Sequence, residues 1–258
     1  MSTLRRTVRL GGATLAVAAV VGGGVVVAYD GSASHHVGAA MPAAATAVAV
    51  GPAVARSAPK PDTHSTVVAA PHGVQVFDRP GGSVTRTLAG QTDLGAVQTL
   101  LTVGSRPGWW KVALPVRPND ATGWVRTADV QAKTIDIRIE IDRAAHQLTL
   151  WRDGSVVRRF AVAVGTTSTP TPAGRFYVTD NLSTGNPSGA YGPFALGLSG
   201  HSNVLFQFGI GDGVLGIHGT DEPGSVGHDA SHGCVRLHNA DITVLRAVTP
   251  LGAPVLVR

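Results

Sequence analysis

The stretch Ile135-Asp136-Ile137-Arg138-Ile139-Glu140-Ile141 alternates apolar and charged side chains without a break, and a period of two predicts a strand with one buried face. Just downstream, Gln147 to Trp151 and Ser155 to Val164 flank Arg152-Asp153-Gly154. An Asp-Gly pair between two β-rich runs predicts a tight hairpin. Short β-rich runs continue at Gly174 to Thr179, Val204 to Phe208, Val214 to His218, Cys234 to Leu237 and Ala253 to Val257. One helix is expected, Ala240 to Val248, with Asn239 as its N-cap, Asp241 in the first turn and Arg246 near the last. No repeat period recurs, so a solenoid or propeller is not expected. The C-terminal half reads as mostly β with one or few short helices.

Working upstream, Val67 to about Val130 shows short apolar runs punctuated by turn residues: Gly73 to Phe77, Pro80 to Gly82, Val97 to Val103, Trp109 to Leu114 and Gly123 to Val125. Regular turns between short β-rich runs predict a small antiparallel barrel. The run Trp109-Trp110-Lys111-Val112, followed by Thr122-Gly123-Trp124-Val125, resembles the closing strands of bacterial SH3-like domains over residues 67–131. Trp109, Trp110 and Trp124 are expected to pack in the core or across strands rather than to bind a peptide. The expected division is therefore 1–34, 35–66, 67–131 and 134–258.

The two outer segments differ in composition from the rest. Arg5, Arg6 and Arg9 precede Leu10 to Tyr29, twenty residues without a charge, which is enough for a helix to span about 30 Å of hydrocarbon. A membrane anchor fits this stretch. So does an export signal cleaved near Ser32, Ala33 and Ser34. Either way the arginines stay inside and the bulk of the chain faces the outside of the cytoplasmic membrane. His35 to His64 is rich in Ala, Pro, Val and Gly, with Pro42, Pro52, Pro59 and Pro61 against helix, and reads as a linker.

The chain has 258 residues, 43% of them hydrophobic and 14% charged, with a net charge of +5. That hydrophobic fraction excludes a disordered chain. Three of the five positive units come from the N-terminal arginines, so the remainder is nearly balanced and no nucleic-acid partner is expected. Cys234 is the single cysteine. Disulfide frameworks and multi-cysteine metal motifs are thereby excluded.

That cysteine lies in Ile217 to His238, IHGTDEPGSVGHDASHGCVRLH, where His218, His228, His232 and His238 make four of the chain's ten histidines. A free thiol with pKa about 8.5 is mostly protonated at neutral pH, and a neighbouring imidazole that takes its proton makes the thiolate available. Ser231-His232-Gly233 reads as a tight polar turn that sets Cys234 at the start of a strand, with backbone N–H groups near a developing oxyanion. His228 and His238 are expected to be solvated or turn histidines, and Asp221 and Glu222 a solvated turn before Pro223.

These residues resemble the L,D-transpeptidases of the YkuD type. His218-Gly219-Thr220, then Ser231-His232-Gly233-Cys234, then Arg236 match the family signature. Thr169-Pro170-Thr171-Pro172-Ala173-Gly174-Arg175-Phe176 matches its threonine-proline-glycine turn before a strand. The resemblance covers about Thr134 to Arg258. It implies peptidoglycan L,D-transpeptidation outside the cytoplasmic membrane. Cys234 would attack the carbonyl of the third stem-peptide residue, expel the terminal D-alanine and form a thioester. An amine of a neighbouring stem would resolve it into a 3→3 cross-link, without metal, nucleotide or other cofactor. On the matching positions His218 is the base, and the Gly219 carbonyl is what that position can offer as its orienting group. Ser231 and His232 shape the oxyanion turn and cleft, and the Gly233 and Cys234 amides supply oxyanion donors. Arg236 either anchors a substrate carboxylate or pairs within the domain. Tyr191 and Gly192 resemble the loop over the donor subsite. The resemblance also implies acylation by β-lactams of the carbapenem class.

Three other classes are weighed against this one. Water in place of the acceptor amine gives an L,D-carboxypeptidase with the same nucleophile and base. His218, His228, His232 and Cys234 as a zinc set lacks the short paired spacing of structural sites. A non-catalytic wall-binding protein leaves the His218 and Cys234 pair without a purpose. Since every signature residue follows Thr134, chemistry is expected to belong to the second unit alone.

Overall fold

The computed structural model describes residues 63–207 and 212–258; the expected anchor or signal and nearly all of the expected linker lie outside them. Among the described residues no helix is long and apolar enough to cross a membrane. In chain order the first strands are β1 (Ser65–Ala69), β2 (Val74–Phe77), β3 (Val84–Leu88), β4 (Thr99–Arg106), β5 (Trp109–Ala113), β6 (Thr122–Arg126) and β7 (Gln131–Ile135). They form one seven-stranded sheet in the order β3-β2-β6-β5-β4-β1-β7. Period-two burial builds its core: Val74 and Val76 are buried while Gln75 between them is exposed. Val68, Leu100, Val112 and Val125 join them. Trp110 packs against this core from a half-buried position. Trp109 instead meets Phe77 edge-on at 5.0 Å, with Arg126 over both rings.

The remaining elements are β8 (Ile137–Asp142), β9 (Gln147–Arg152), β10 (Ser155–Ala161), β11 (Val164–Gly165), β12 (Gly174–Ser183), β13 (Phe194–His201), β14 (Val214–His218), β15 (Asp229–Ser231), β16 (Val235–Arg236), α1 (Asn239–Val248) and β17 (Pro254–Val257). Eight of these strands make the second sheet, β10-β9-β8-β17-β12-β13-β14-β16, and β11 and β15 pair separately. The alternating stretch at 135–141 does not run as one strand. Ile135 ends β7 in the first sheet, and β8 starts at Ile137 in the second. Its isoleucines are nonetheless buried as the period requires. β9 and β10 form the expected hairpin, with Asp153 and Gly154 both at positive φ, 49° and 73°; two such residues match the right-handed twist of the strands.

Two expectations need correction. Of the expected strand Val204 to Phe208, Phe208 lies outside the described residues and Val204 to Gln207 form no strand, because their backbone is claimed by side chains. Ser202 Oγ accepts from the N–H groups of Val204 and Leu205, and Arg117 donates to the Leu205 carbonyl. Asn239 is the first residue of α1, not its cap; the cap position is His238, which makes no side-chain bond there. The helix lays Ile242 and Leu245 into the second core, a burial of the order of 1.5–3 kcal/mol for each side chain.

The two sheets belong to one compact unit and their cores interpenetrate. Tyr177, on β12 of the second sheet, is fully buried in the first core. Its hydroxyl donates to the Ala113 carbonyl at 3.3 Å, and burial pushes its pKa strongly upward. In the opposite direction, Val67 of β1 packs into the second core. Asp180 accepts a hydrogen bond from Thr92 at 2.5 Å.

Candidate active site

The parallel pairing of β14 with β16 sets Ile217 opposite Val235 and His218 opposite Arg236. One step back along the same register, Cys234 falls beside Gly216. A Cβ placed on Gly216 would lie 4.0 Å from both Cys234 Sγ and His218 Cδ2, so the missing side chain is the room in which thiol and imidazole sit together. Both open on a cleft of about 240 Å³, also lined by Tyr191, Ser231, His232 and Arg236.

His218 is 5% exposed, and its Nδ1 lies 2.6 Å from the Gly219 carbonyl oxygen. A carbonyl only accepts, so Nδ1 carries the proton and Nε2 keeps a lone pair. Burial lowers the imidazole pKa to about 4. The Gly219 bond and Asp221 pull it upward, and Arg236 pulls it down. The ring is therefore neutral at pH 7. Burial also pushes the Cys234 thiol up, against the lowering effects of a backbone hydrogen bond at Gly216 and of Arg236. Both shifts disfavour a standing thiolate–imidazolium pair. The resting pair is a thiol beside a neutral base.

The turn before the nucleophile is closed by one hydroxyl. Ser231 Oγ donates to the Cys234 carbonyl at 2.5 Å and accepts from the Gly233 N–H at 3.0 Å. This corrects the role expected of Gly233: its N–H points into the turn and is not an oxyanion donor. Below the turn, Thr171 Oγ1 donates to the Gly233 carbonyl at 2.8 Å and accepts from the Gly165 N–H at 2.8 Å. Thr169 Oγ1 donates to the Ser231 carbonyl at 3.2 Å. The threonines of the Thr-Pro-Thr-Pro stretch thus bolt the Ser-His-Gly-Cys turn in place. Replacing Thr171 by valine keeps the shape and leaves a buried N–H and a buried carbonyl unpaired. We expect a loss of about 2–3 kcal/mol in urea unfolding, together with slower acylation of Cys234 as the Gly233 peptide is released.

Arg236 pairs with Glu222, Nη1 to Oε2 at 2.6 Å, so Glu222 is an ion-pair partner and not merely a solvated turn residue. Tyr191 lays its ring 4.7 Å from that of His218 at 55°. Burial raises its hydroxyl pKa, Cys234 adds to the rise and Arg236 opposes it. His232 is exposed at the rim of the cleft. His228 and His238 are exposed and do not line it. Among the described residues, no group of three or more His, Cys, Asp or Glu side chains is arranged to hold a metal ion.

The sequence marks Asn239 only as a cap, and the structure gives it another task. Its Oδ1 accepts from the Thr220 N–H at 2.8 Å and its Nδ2 donates to the Pro187 carbonyl at 3.3 Å. That amide presses against two glycines: a Cβ would lie 2.2 Å from Asn239 Oδ1 at Gly192 and 2.3 Å at Gly219. The loop carrying Tyr191 and the segment orienting His218 can approach only because both positions lack side chains. The signal was present as His-Gly, Tyr-Gly and His-Asn dipeptides, but nothing local says that they converge. Ser202, Leu205, Gly213 and Leu215 also line the cleft and carry no sequence signal of that role.

Residues 136–257 match the YkuD-type L,D-transpeptidase catalytic domain. The chain is 35% identical over 124 residues to the Bacillus subtilis protein named as L,D-transpeptidase YkuD, covering 48% of this chain and 67% of that one. The chain belongs to the L,D-transpeptidase family. A second B. subtilis protein, named as L,D-transpeptidase YqjB, is 30% identical over 132 residues, covering 47% of this chain and 71% of that one. The solved catalytic domain of the E. faecium L,D-transpeptidase is 27% identical, covering 48% of this chain and 97% of that one at a TM-score of 0.35. In this L,D-transpeptidase the matched segment begins directly after β7 and contains all the cleft residues named above.

Proposed function

We propose that the chain forms 3→3 cross-links between peptidoglycan stem peptides through a thioester on Cys234. The observation that carries this reading is the pairing of Cys234 with a neutral His218 in one cleft, with Nδ1–H committed to Gly219. In the first half-reaction Cys234 Sγ attacks the carbonyl of the third stem residue as the thiol proton passes to His218 Nε2. That proton then goes to the departing D-alanine nitrogen as its C–N bond breaks. In the second, an amine on a neighbouring stem gives a proton to His218 while attacking the thioester. Sγ leaves and takes the proton back. The energy of one amide passes through the thioester into the next, so no cofactor is required. Ser231 and His232 shape the turn and cleft, and the Cys234 N–H is the oxyanion donor of this scheme. In this scheme Arg236 exchanges its Glu222 partner for a stem carboxylate, with Tyr191 and Gly192 over the donor.

The same reading assigns residues 136–258 to catalysis and 65–135, which β1 to β7 span, to an SH3-like wall-facing module. Residues 35–64 are the linker, shorter than the expected 35–66 because Ser65 and Thr66 already belong to β1, and 1–34 an anchor or signal that places the enzyme outside the cytoplasmic membrane. Carbapenems are proposed acylating ligands.

The test is intact mass of the protein after incubation with a carbapenem, followed by products from a stem tetrapeptide with and without acceptor amine. An adduct mapped to Cys234 and an amine-dependent dimer are expected. An adduct elsewhere would overturn the nucleophile. A tripeptide as sole product in the presence of amine would make the enzyme an L,D-carboxypeptidase instead.

A further inference from the structure

We propose that Arg117 and Asn119, in the loop joining β5 to β6 of the first sheet, are positioning residues for the cleft of the second. The loop reaches across to the cleft wall. Arg117 Nη1 donates to the Ser202 carbonyl at 2.6 Å, and Nη2 donates to the carbonyls of Leu205 at 2.9 Å and Asp212 at 2.5 Å. Ser202 and Leu205 line the cleft, as does Gly213 beside Asp212. One planar fork of donors therefore fixes three points of a single wall, a task that fits guanidinium and not a point charge. Asn119 extends the grip by copying a strand neighbour: Oδ1 accepts from the His201 N–H at 2.9 Å and Nδ2 donates to the His201 carbonyl at 2.8 Å.

The wall is folded closely around the guanidinium. A Cβ on Gly213 would lie 2.0 Å from the Leu205 oxygen and 3.0 Å from Arg117 Nη2. Gly213 also has φ of +80°, so a side chain there would be strained as well as crowded. Val204 to Gln207 belongs to no strand or helix. Its position rests on Arg117 and on Ser202 Oγ, which accepts from Leu205 N at 3.0 Å. Arg117 further stacks over the Phe206 ring at 4.7 Å. By contrast, Cys234 and His218 are held by β14, β16 and the threonine bolts. The nucleophile and base are thus independent of the loop, while the wall that a substrate would lean on is not. Loss of the brace should weaken binding and spare the chemical step.

This inference rests on the reading of the cleft as an acylation site, and the experiment separates the two. In the full chain, Arg117→Ala, Arg117→Lys and Asn119→Ala are compared with wild type. Acylation by a carbapenem is followed over a concentration series, which resolves apparent binding from limiting rate. Alkylation of Cys234 by iodoacetamide, too small to need the wall, is measured alongside. For Arg117→Ala we expect apparent binding weakened about tenfold, the scale of losing a hydrogen bond to a charged group, with limiting rate and alkylation within about twofold of wild type. Arg117→Lys should not restore binding, since an ammonium cannot serve three carbonyls as a fork. Asn119→Ala should show the same split more weakly, and it decides the matter if Arg117→Ala does not fold. A reactive wild type with unchanged binding in folded variants overturns this inference alone. Equal losses in binding, limiting rate and alkylation also overturn it, by marking a general loosening of the fold. A wild type that no carbapenem acylates overturns the reading of the cleft and this inference with it.

Discussion

Cys234→Ala is expected to abolish acylation and cross-linking while leaving the fold in place. The thiol is the single sulfur nucleophile of the chain, and among the described residues it shares the space over Gly216 with the only buried imidazole of the cleft. Loss of a nucleophile that works as a unit with its base costs on the order of 10⁴ or more in turnover, which here means products below detection. The structural cost is small. Cys234 is half-buried at the cleft, and the bonds that shape its turn run through backbone atoms and Ser231 Oγ. Removal of one sulfur atom should change unfolding free energy by about 1 kcal/mol or less. The measurement is intact mass after carbapenem treatment, with urea unfolding as the control. A covalent adduct on the folded variant would place the nucleophile elsewhere.

Much of this site was legible because its chemistry is written in a short span. His218, Ser231, His232, Cys234 and Arg236 lie within nineteen residues, and the parallel β14–β16 register brings that span together. The strands were legible where burial follows the period of two, as at Ile137, Ile139 and Ile141. What failed to show were consequences of long-range contact. Ile135 matches its neighbours in pattern yet ends a strand of the other sheet, because β7 pairs with β1. Val204 to Gln207 has strand composition, but Arg117, eighty-eight residues from Leu205, takes the Leu205 carbonyl, and Ser202 Oγ takes the Val204 and Leu205 N–H groups. Gly233 reads as an oxyanion donor until Ser231 Oγ is seen to occupy its N–H. Tyr177 reads as an ordinary strand residue of the second unit, and no local signal says that it fills the core of the first.

Those same contacts alter the expectation that chemistry belongs to the second unit alone. All the cleft-lining residues do come from it. The separation of nucleophile from wall is nonetheless a division of labour across the two sheets: β14 and β16 hold the reacting pair, and the β5–β6 loop holds part of the surface that faces it. A fragment starting near Thr134 would lose Arg117, Asn119 and the apolar cover of Tyr177 together. Failure of such a fragment would therefore not identify which loss mattered, whereas single substitutions in the full chain do.

His218→Ala should slow acylation at pH 7 by about 10²–10⁴, the usual contribution of a positioned base. With the imidazole gone, the thiol must ionise unaided, and burial already pushes its pKa above the ordinary value. Even at the ordinary pKa of about 8.5 only about 3% of a thiol is thiolate at pH 7, and burial leaves less here. The rate of the variant should then climb about tenfold for each pH unit until the thiol itself titrates, so alkaline pH gives a partial rescue. The wild type should behave differently, and the sign follows from the direction of the shift. The His218 pKa is lowered to about 4, so the ring stays a neutral base as pH falls through the range where an ordinary histidine, near 6.5, would already be protonated. Acylation by wild type should stay nearly level from about pH 8 down to pH 5 and drop only as the pH nears the lowered pKa. A wild-type profile that falls well above pH 5 would show that the buried His218 is not the base, and His232 at the cleft rim is then the candidate. Unchanged acylation of the His218→Ala variant at pH 7 would point the same way.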